Sequence, residues 1–295
     1  MRKRLDIKIT YQCNNRCKFC VQGKKRGFCN DKDYEEIKEI LNTHKNDYGQ
    51  VVFTGGEPTI RPDILRIISL AKTNGYKVHI QSNGRMFAYK KFCKDIIRSG
   101  VSAFTISIHG NNATSHEDLT KARGSFDQTV SGIKNILSNG FSLYTNTVIA
   151  KSNYQLLPKI AEFLINLGVR QYKFSFPHII GSALANCKNV ITRKEIAIPF
   201  VKRGLEIGIQ NGCRAATEAI PYCLLGKYAK FASERYTPDT YVFDTEKTKS
   251  FKVWRKQEGK SKGPLCSQCR HCNSCEGPWR EYPQLFGWNE FVPIT

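Results

Sequence analysis

"QVVFTGGEPTIRPDILRIISLAKTNG", residues 50–75, decides the fold. Residues 50–56 form an apolar, β-branched run suited to a strand. From 61 to 75 the apolar residues recur at helical spacing, with Pro62 near the start and Gly75 just past the end. A strand that leads directly into a helix is half of a parallel crossover, and the number of times the unit recurs sets the architecture.

It recurs along most of the chain. "LDIKIT" (5–10) is followed by "DKDYEEIKEILNTH" (31–44), where Ile37, Ile40 and Leu41 share a helical face. "YKVHIQSNG" (76–84) precedes a helix near 86–99, and "VSAFTISIHG" (101–110) precedes one near 125–139. "FSLYTNTVIA" (141–150) leads to "NYQLLPKIAEFLINLG" (153–168), and "RQYKFSFP" (170–177) to a helix near 192–210. Six such units predict a parallel sheet with right-handed crossovers. Eight would close a barrel, so the expected fold is α/β, a partial (β/α)6 TIM-type barrel over residues 1–210. Past 211 the periodicity fades into a loop-like "KQEGKSKGP" (256–264) and a tail rich in Cys, Gly and aromatics. Residues 211–295 are therefore expected to form a small Cys-rich C-terminal extension.

Polar residues gather where the strands end, which is where parallel α/β folds bind ligands. Strand 1 ends in Thr10, strand 2 in "TGGEP", strand 3 in "QSNG" and strand 4 in "SIHG"; strand 5 carries Asn146 and strand 6 ends in "FSFPH". Six strand ends of the same character point to one site.

The net charge is +21, from 46 basic and 25 acidic side chains, a sign that suits an anionic partner or substrate. The lysines are scattered without a long run, so charge alone selects no partner, and nucleic acid stays open. No apolar run is long enough to span a bilayer, and the basic N-terminus runs into an alternating strand pattern, not a signal region. No membrane partner and a cytoplasmic location are expected. Twelve cysteines are many for such a chain. They cluster as Cys13, Cys17 and Cys20, and as Cys266, Cys269, Cys272 and Cys275; Cys29, Cys93, Cys187, Cys213 and Cys223 stand alone. Spacings of two or three residues suit metal ligands better than disulfides.

Three thiols are one short of a tetrahedral zinc site. A [4Fe–4S] cubane has four irons, and three thiolates leave one iron open to bind something else. With that spacing, "CNNRCKFC" (13–20), with Phe19 before the last cysteine, resembles the cluster motif of the radical S-adenosylmethionine (radical SAM) superfamily. "GGEP" (55–58) stands where that family's second motif belongs, and the resemblance covers roughly residues 5–210. It implies a SAM-binding [4Fe–4S] cluster on Cys13, Cys17 and Cys20, reductive cleavage of SAM to a 5′-deoxyadenosyl radical, and hydrogen abstraction from substrate. By position, Gly55, Gly56 and Glu57 would hold the methionine amine, with Glu57 acting through geometry. Ser82, Asn83 and Ser107 would face ribose and methionine, Arg123 would pair with the SAM carboxylate, and Asn146 would complete the lining. An electron donor such as flavodoxin or ferredoxin is the implied protein partner.

"CSQCRHCNSCEGPWREYPQLFG" (266–287) resembles the SPASM or twitch extensions of that superfamily, which bind an auxiliary cluster. The resemblance implies Cys266, Cys269 and Cys275 as ligands, with Cys223 joining from upstream. Cys272 is additional; it could replace one of the four, or serve as a thiol hydrogen donor. The alternative to that auxiliary cluster is a structural zinc site on four thiolates. With strand 1 beginning at residue 5, neither a leader-peptide-binding nor a cobalamin-binding domain is expected ahead of the barrel. The expected substrate is a peptide or a small metabolite undergoing oxidation, epimerisation or cross-linking. The alternatives are an iron–sulfur protein that binds or modifies RNA, and a sugar or aminoglycoside epimerase with a cysteine hydrogen donor.

Overall fold

The computed structural model describes residues 3–245 and 248–295. The first three units are β1 (Arg4–Thr10) with α1 (Tyr34–His44), β2 (Gln50–Gly55) with α2 (Ile64–Thr73), and β3 (Lys77–Ser82) with α3 (Lys90–Arg98). Next, β4 (Val101–Ser107) leads through α4 (Ala113–Thr120) to α5 (Ser125–Ser138), and β5 (Leu143–Val148) is followed by α6 (Leu157–Asn166). Finally β6 (Gln171–Ser175) passes through two short helical turns, α7 (Ser182–Ala185) and α8 (Cys187–Val190), to α9 (Lys194–Gln210). Local chemistry sets these bounds. At α1, for example, the Asp33 side chain accepts from the Glu36 N–H at 2.8 Å, and Ile37 and Leu41 turn inward.

Strands β1 to β6 pair in sequence order and in parallel, as six crossovers require. The sheet then continues with strands from beyond residue 210. β7 (Arg214–Glu218) adds parallel to β6, while β8 (Thr240–Phe243) crosses over to pair parallel with β1. β9 (Thr248–Ser250) lies antiparallel to β8. The order is β7-β6-β5-β4-β3-β2-β1-β8-β9, and its two ends do not meet. The sheet stays open, the partial barrel that the sequence implies. The "RAATE" of β7 has no β-branched run, which is why periodicity does not reveal it.

Alternation divides each strand between two environments. In β1, Leu5, Ile7 and Ile9 are wholly buried against the helices, whereas Arg4, Asp6 and Lys8 are half-buried on the other side. Each fully buried aliphatic side chain contributes about 1.5–3 kcal/mol. The inner face repeats the polar choice with Tyr144 and Asn146 on β5 and Lys173 on β6, so the concave interior of the sheet is polar. Among the described residues, no helix is long and apolar enough to cross a membrane.

Candidate active site

Between β1 and α1 the chain forms the loop that carries Cys13, Cys17 and Cys20, each partly exposed. Three neighbouring segments hold its backbone. At the end of β2, Gly55 has φ +127°, and a Cβ there would stand 2.1 Å from the Thr10 carbonyl oxygen. A Cβ on Gly56 would stand 2.1 Å from the Gln12 carbonyl oxygen. With neither present, the Gly56 N–H donates to the Thr10 carbonyl at 2.6 Å and the Glu57 N–H to the Gln12 carbonyl at 2.7 Å. The two glycines thus serve close approach. From α4, the Thr120 and Leu119 carbonyls accept the Arg16 and Lys18 N–H groups at 2.8 and 2.9 Å. Ahead of α7, the Ser182 N–H donates to the Cys20 carbonyl at 2.9 Å, and the Asn186 amide donates to the Lys18 carbonyl at 3.2 Å.

Glu57 is 1 % exposed. Its Oε1 accepts from the Thr59 N–H at 3.1 Å, the Thr59 hydroxyl at 2.5 Å and the Ser82 hydroxyl at 2.8 Å. Its Oε2 accepts from the Asn83 N–H at 2.7 Å. Burial holds this carboxyl above its ordinary range, opposed by those hydrogen bonds. With both oxygens engaged, Glu57 joins the ends of β2 and β3 and is poorly placed as a base. Ser82 is committed to the same knot, since its hydroxyl also accepts from the Gly84 N–H at 2.9 Å. The Asn83 amide reaches the loop, donating to Asn14 Oδ1 at 2.6 Å and lying 3.9 Å from Cys13 Sγ. Arg85, which sequence reasoning passed over, donates to the Asn14 carbonyl, to Asn15 Oδ1 at 2.9 Å and to Gln128 Oε1 at 2.6 Å.

Burial raises the pKa of all three loop thiols. The Cys20 thiolate raises Cys13 and Cys17 further, while the positive charge of Arg26 pulls all three down. Three thiols gathered in one loop form a donor set that a bound cation would draw to the thiolate form, so the donor chemistry fits an iron–sulfur cluster. Arg26 was likewise missed; its Nε is buried, with no hydrogen-bond partner among the described residues. Phe19 packs edge-on against His109, with ring centroids 4.7 Å apart. Burial keeps His109 neutral, and its Nδ1 accepts the Val148 N–H at 3.2 Å, so it supports the loop as a barrel residue.

Ser107 and Asn146 lie opposite each other in register on β4 and β5. Asn146 Oδ1 accepts from the Ser175 hydroxyl at 2.7 Å, and Ser175 lies 3.2 Å from Glu218 Oε2, which is ion-paired with Lys173. Burial pushes the Glu218 carboxyl up, but Lys173, together with the charges of Lys260 and Arg255, outweighs it and holds the group at about 2. Neither Lys173 nor Glu218 stood out in sequence, Lys173 lying unremarked within the sixth strand and Glu218 on an unrecognised one. Arg123 is exposed on the turn between α4 and α5, three residues beyond the Thr120 carbonyl that holds the loop.

The second group of cysteines rings a single hollow. Cys223 and Cys266, Cys269, Cys272 and Cys275 all line it, so the upstream cysteine does join the others. Burial pushes the Cys223 thiol up to about 12, with Cys275, Cys266 and Cys269 adding to the rise. Those four thiols therefore share one electrostatic neighbourhood. Cys272 Sγ lies 4.0 Å from Lys262 Nζ. Among the described residues, no group of three or more His, Cys, Asp or Glu side chains is drawn up around a single metal ion. Cys93 and Cys213 are buried in the apolar core. The walls of the hollow are tied down by buried ion pairs, Arg255 with Glu276 (Nη2 to Oε1, 2.7 Å) and Lys260 with Glu234 (2.8 Å). Trp279 docks this extension on the barrel, stacking on His178 at 4.2 Å and donating to the Phe176 carbonyl at 3.4 Å.

Residues 7–174, more than half of the chain, match the model of the radical SAM superfamily. The chain belongs to that superfamily. Radical SAM proteins use a [4Fe–4S] cluster and S-adenosylmethionine, and Cys13, Cys17, Cys20 and the Gly55–Glu57 turn all lie within the matched residues. A probable GTP 3′,8-cyclase of Saccharolobus islandicus is 31 % identical over 182 residues, 60 % of this chain and 58 % of that protein. An AdoMet-dependent heme synthase of Oleidesulfovibrio alaskensis is 26 % identical over 190 residues, 63 % of this chain and 48 % of that protein. The chain thus spans less than two thirds of the length of these relatives. Streptococcus suis SuiB, solved with S-adenosylmethionine, superimposes with a TM-score of 0.70 at 16 % identity, over 99 % of this chain and 76 % of SuiB. The likeness in fold to SuiB therefore runs on through the Cys-rich extension. The anSMEcpe structure with AdoMet and a peptide superimposes with a TM-score of 0.51 at 16 % identity, over 58 % of this chain and 50 % of that one.

Proposed function

We propose that the enzyme abstracts hydrogen from a peptide held in the polar interior of the barrel, working with an auxiliary cluster in the extension. In this reading residues 1–210 carry the radical chemistry, and Cys13, Cys17 and Cys20 bind the [4Fe–4S] cluster that supplies the electron for SAM cleavage. Gly55, Gly56 and Glu57 set the edge against which SAM lies, and Asn83, Ser107, Arg123 and Asn146 line it. Ser82 contributes by fixing Glu57. Residues 211–295 form the SPASM/twitch-like part, with Cys223, Cys266, Cys269 and Cys275 as ligands of an auxiliary [4Fe–4S] cluster. Cys272, left over at the same hollow, is the proposed hydrogen donor if the net reaction is an epimerisation. Twelve free thiols are in keeping with a cytoplasmic location.

The observation that carries the reading is the clamped loop. Backbone contacts from β2, α4 and the segment ahead of α7 fix the stretch of chain that carries Cys13, Cys17 and Cys20. A peptide is favoured over a small metabolite because solved proteins of like fold are bound to peptides, SuiB to the precursor peptide SuiA among them. The Lys173–Glu218 pair offers such a substrate both charges.

The test is anaerobic reconstitution, iron and sulfide counting, and incubation with dithionite and SAM. About eight irons and formation of 5′-deoxyadenosine are expected. No 5′-deoxyadenosine, even with candidate peptides, sinks the proposal. Zinc without iron in the extension removes its second half.

A further inference from the structure

We propose that Arg85 is a positioning residue of the open site: its guanidinium holds Asn14 and Asn15 so that the Asn15 N–H rests on Cys13 Sγ, and that hydrogen bond helps set the potential of the N-terminal cluster. This rests on reading Cys13, Cys17 and Cys20 as the ligands of that cluster.

The guanidinium is aimed by a turn that forms locally. After β3 the chain turns through Asn83, Gly84 and Arg85, with Gly84 at φ +84°, and Asn83 Oδ1 accepts the Arg85 N–H at 3.0 Å. Both flanking side chains then reach one residue of the cysteine loop. The Asn83 amide donates to Asn14 Oδ1 at 2.6 Å, and Arg85 Nη1 donates to the Asn14 carbonyl. The same Nη1 donates to Asn15 Oδ1 at 2.9 Å. Helix α5 backs the turn: Gln128 Oε1 accepts from Arg85 Nε at 2.6 Å, and the Thr129 hydroxyl donates to the Asn83 carbonyl at 2.9 Å. A planar guanidinium tied at Nε and at Nη1 is fixed in orientation.

Asn14 and Asn15 are the first residues between Cys13 and Cys17. Asn15 is 3 % exposed, and its N–H donates to Cys13 Sγ at 3.4 Å. An N–H on a ligand sulfur favours the more negative, reduced state of a cluster, because hydrogen bonds to the sulfurs tune the potential. The next residue, Arg16, donates its N–H to the Thr120 carbonyl at 2.8 Å, so this stretch is pinned by Arg85 on one side and by α4 on the other. The acceptors of the guanidinium, at Asn14, Asn15 and Gln128, are all neutral, so its work here is geometric. A lysine at position 85 keeps the charge but has no fork with which to hold the three together. Charge and position can therefore be separated at one residue.

The test compares the unaltered, reconstituted enzyme with Arg85→Lys, Arg85→Gln and Gln128→Leu. Anaerobic hydrogen exchange of residues 14–18 is followed by mass spectrometry. The potential is followed by redox titration of the electron paramagnetic resonance signal that responds to SAM. Exchange should be about tenfold faster in both Arg85 variants. At a fixed applied potential their reduced-to-oxidised ratio should be about threefold lower. Gln128→Leu should move both readouts the same way and by less. Faster exchange with an unchanged potential overturns the proposal and leaves Arg85 a structural clamp. Two unchanged readouts overturn it outright. A shift in potential without faster exchange, or one that Arg85→Lys restores, assigns the effect to charge and overturns it as well. If the Arg85 variants take up no iron on the loop, Gln128→Leu decides, and an unchanged potential there overturns the proposal. None of these outcomes touches the functional reading. If the unaltered protein takes up no iron on Cys13, Cys17 and Cys20, that reading fails and this proposal fails with it.

Discussion

The two cysteine regions are built on opposite plans. The N-terminal loop offers the Cys13, Cys17 and Cys20 thiols and is held mainly by hydrogen bonds to its backbone, from β2, α4 and the segment ahead of α7 and from the Arg85 guanidinium, with the Asn83 amide on Asn14. The C-terminal hollow gathers five thiols and is held by buried ion pairs, with Arg255, Glu276, Lys260 and Glu234 all nearly inaccessible. A site that must leave one coordination position free for a substrate cannot rely on its own ligands for rigidity, so the scaffold supplies it. A site with enough thiols to close around a cluster can be stapled by that cluster, and its folding is coupled to metal. The open site should therefore tolerate metal loss structurally, and the closed one should not.

The largest effects fall on the ligands. Cys13→Ala, Cys17→Ala or Cys20→Ala should abolish dithionite-driven SAM cleavage and remove about four irons, with the circular dichroism of the barrel unchanged. A ligand variant that still yields 5′-deoxyadenosine at the unaltered rate breaks the assignment. Next, Cys266→Ala/Cys269→Ala should remove roughly half the iron, preserve SAM cleavage and make the extension susceptible to protease. Full iron retention in that variant would refute an auxiliary cluster on those thiols.

The contrast in construction explains what the sequence made legible. Cys13, Cys17 and Cys20 are neighbours along the chain, and "GGEP" comes directly after a clear strand, so local pattern reaches them. The six units were legible because Leu5, Ile7, Ile37, Leu41, Val51 and Phe53 bury at strand and helix periods. Arg85, Arg26, Lys173 and Glu218 were not legible, since each acquires its role from residues distant in sequence or from an element with no periodic signal. β7 and β8 stayed hidden because such short strands, rich in Ala and Thr or in aromatics, carry no period that separates them from loop. The place of Cys223 beside Cys275 was reachable only through a family pattern. The same pattern put Ser82 toward the ligand, whereas its hydroxyl is bound to Glu57.

Replacing the braces should separate the two plans by size. Glu276→Gln leaves the Arg255 guanidinium buried without its charge partner, and removing one member of such a pair costs about 3–5 kcal/mol. Thermal unfolding should show that loss, with iron lost first from the extension. Glu57→Gln instead turns an acceptor of four hydrogen bonds into a group with one acceptor oxygen, at a cost of about 1–3 kcal/mol. Its signature should be a raised KM for SAM, with the extension's iron retained. Equal destabilisation by the two variants, or iron lost from the same site in both, would erase the distinction.

The smallest and most diagnostic effect concerns charge near the open site. The positive charge of Arg26 lowers the pKa of all three loop thiols, and its buried Nε has no hydrogen-bond partner among the described residues. A nearby cation favours the reduced, more negative state of a cluster, so removing it makes reduction harder. Arg26→Gln should lower the midpoint potential of the N-terminal cluster by tens of millivolts, on the order of what one partly screened charge supplies. Lys262 offers the matching control, because its Nζ lies 4.0 Å from Cys272 Sγ at the closed site. Lys262→Gln should shift only the other cluster. Redox titration monitored by electron paramagnetic resonance resolves the two. If Arg26→Gln leaves the N-terminal potential where it was, the guanidinium is merely covering the loop, and the scaffold around the open site supplies rigidity without electrostatic tuning.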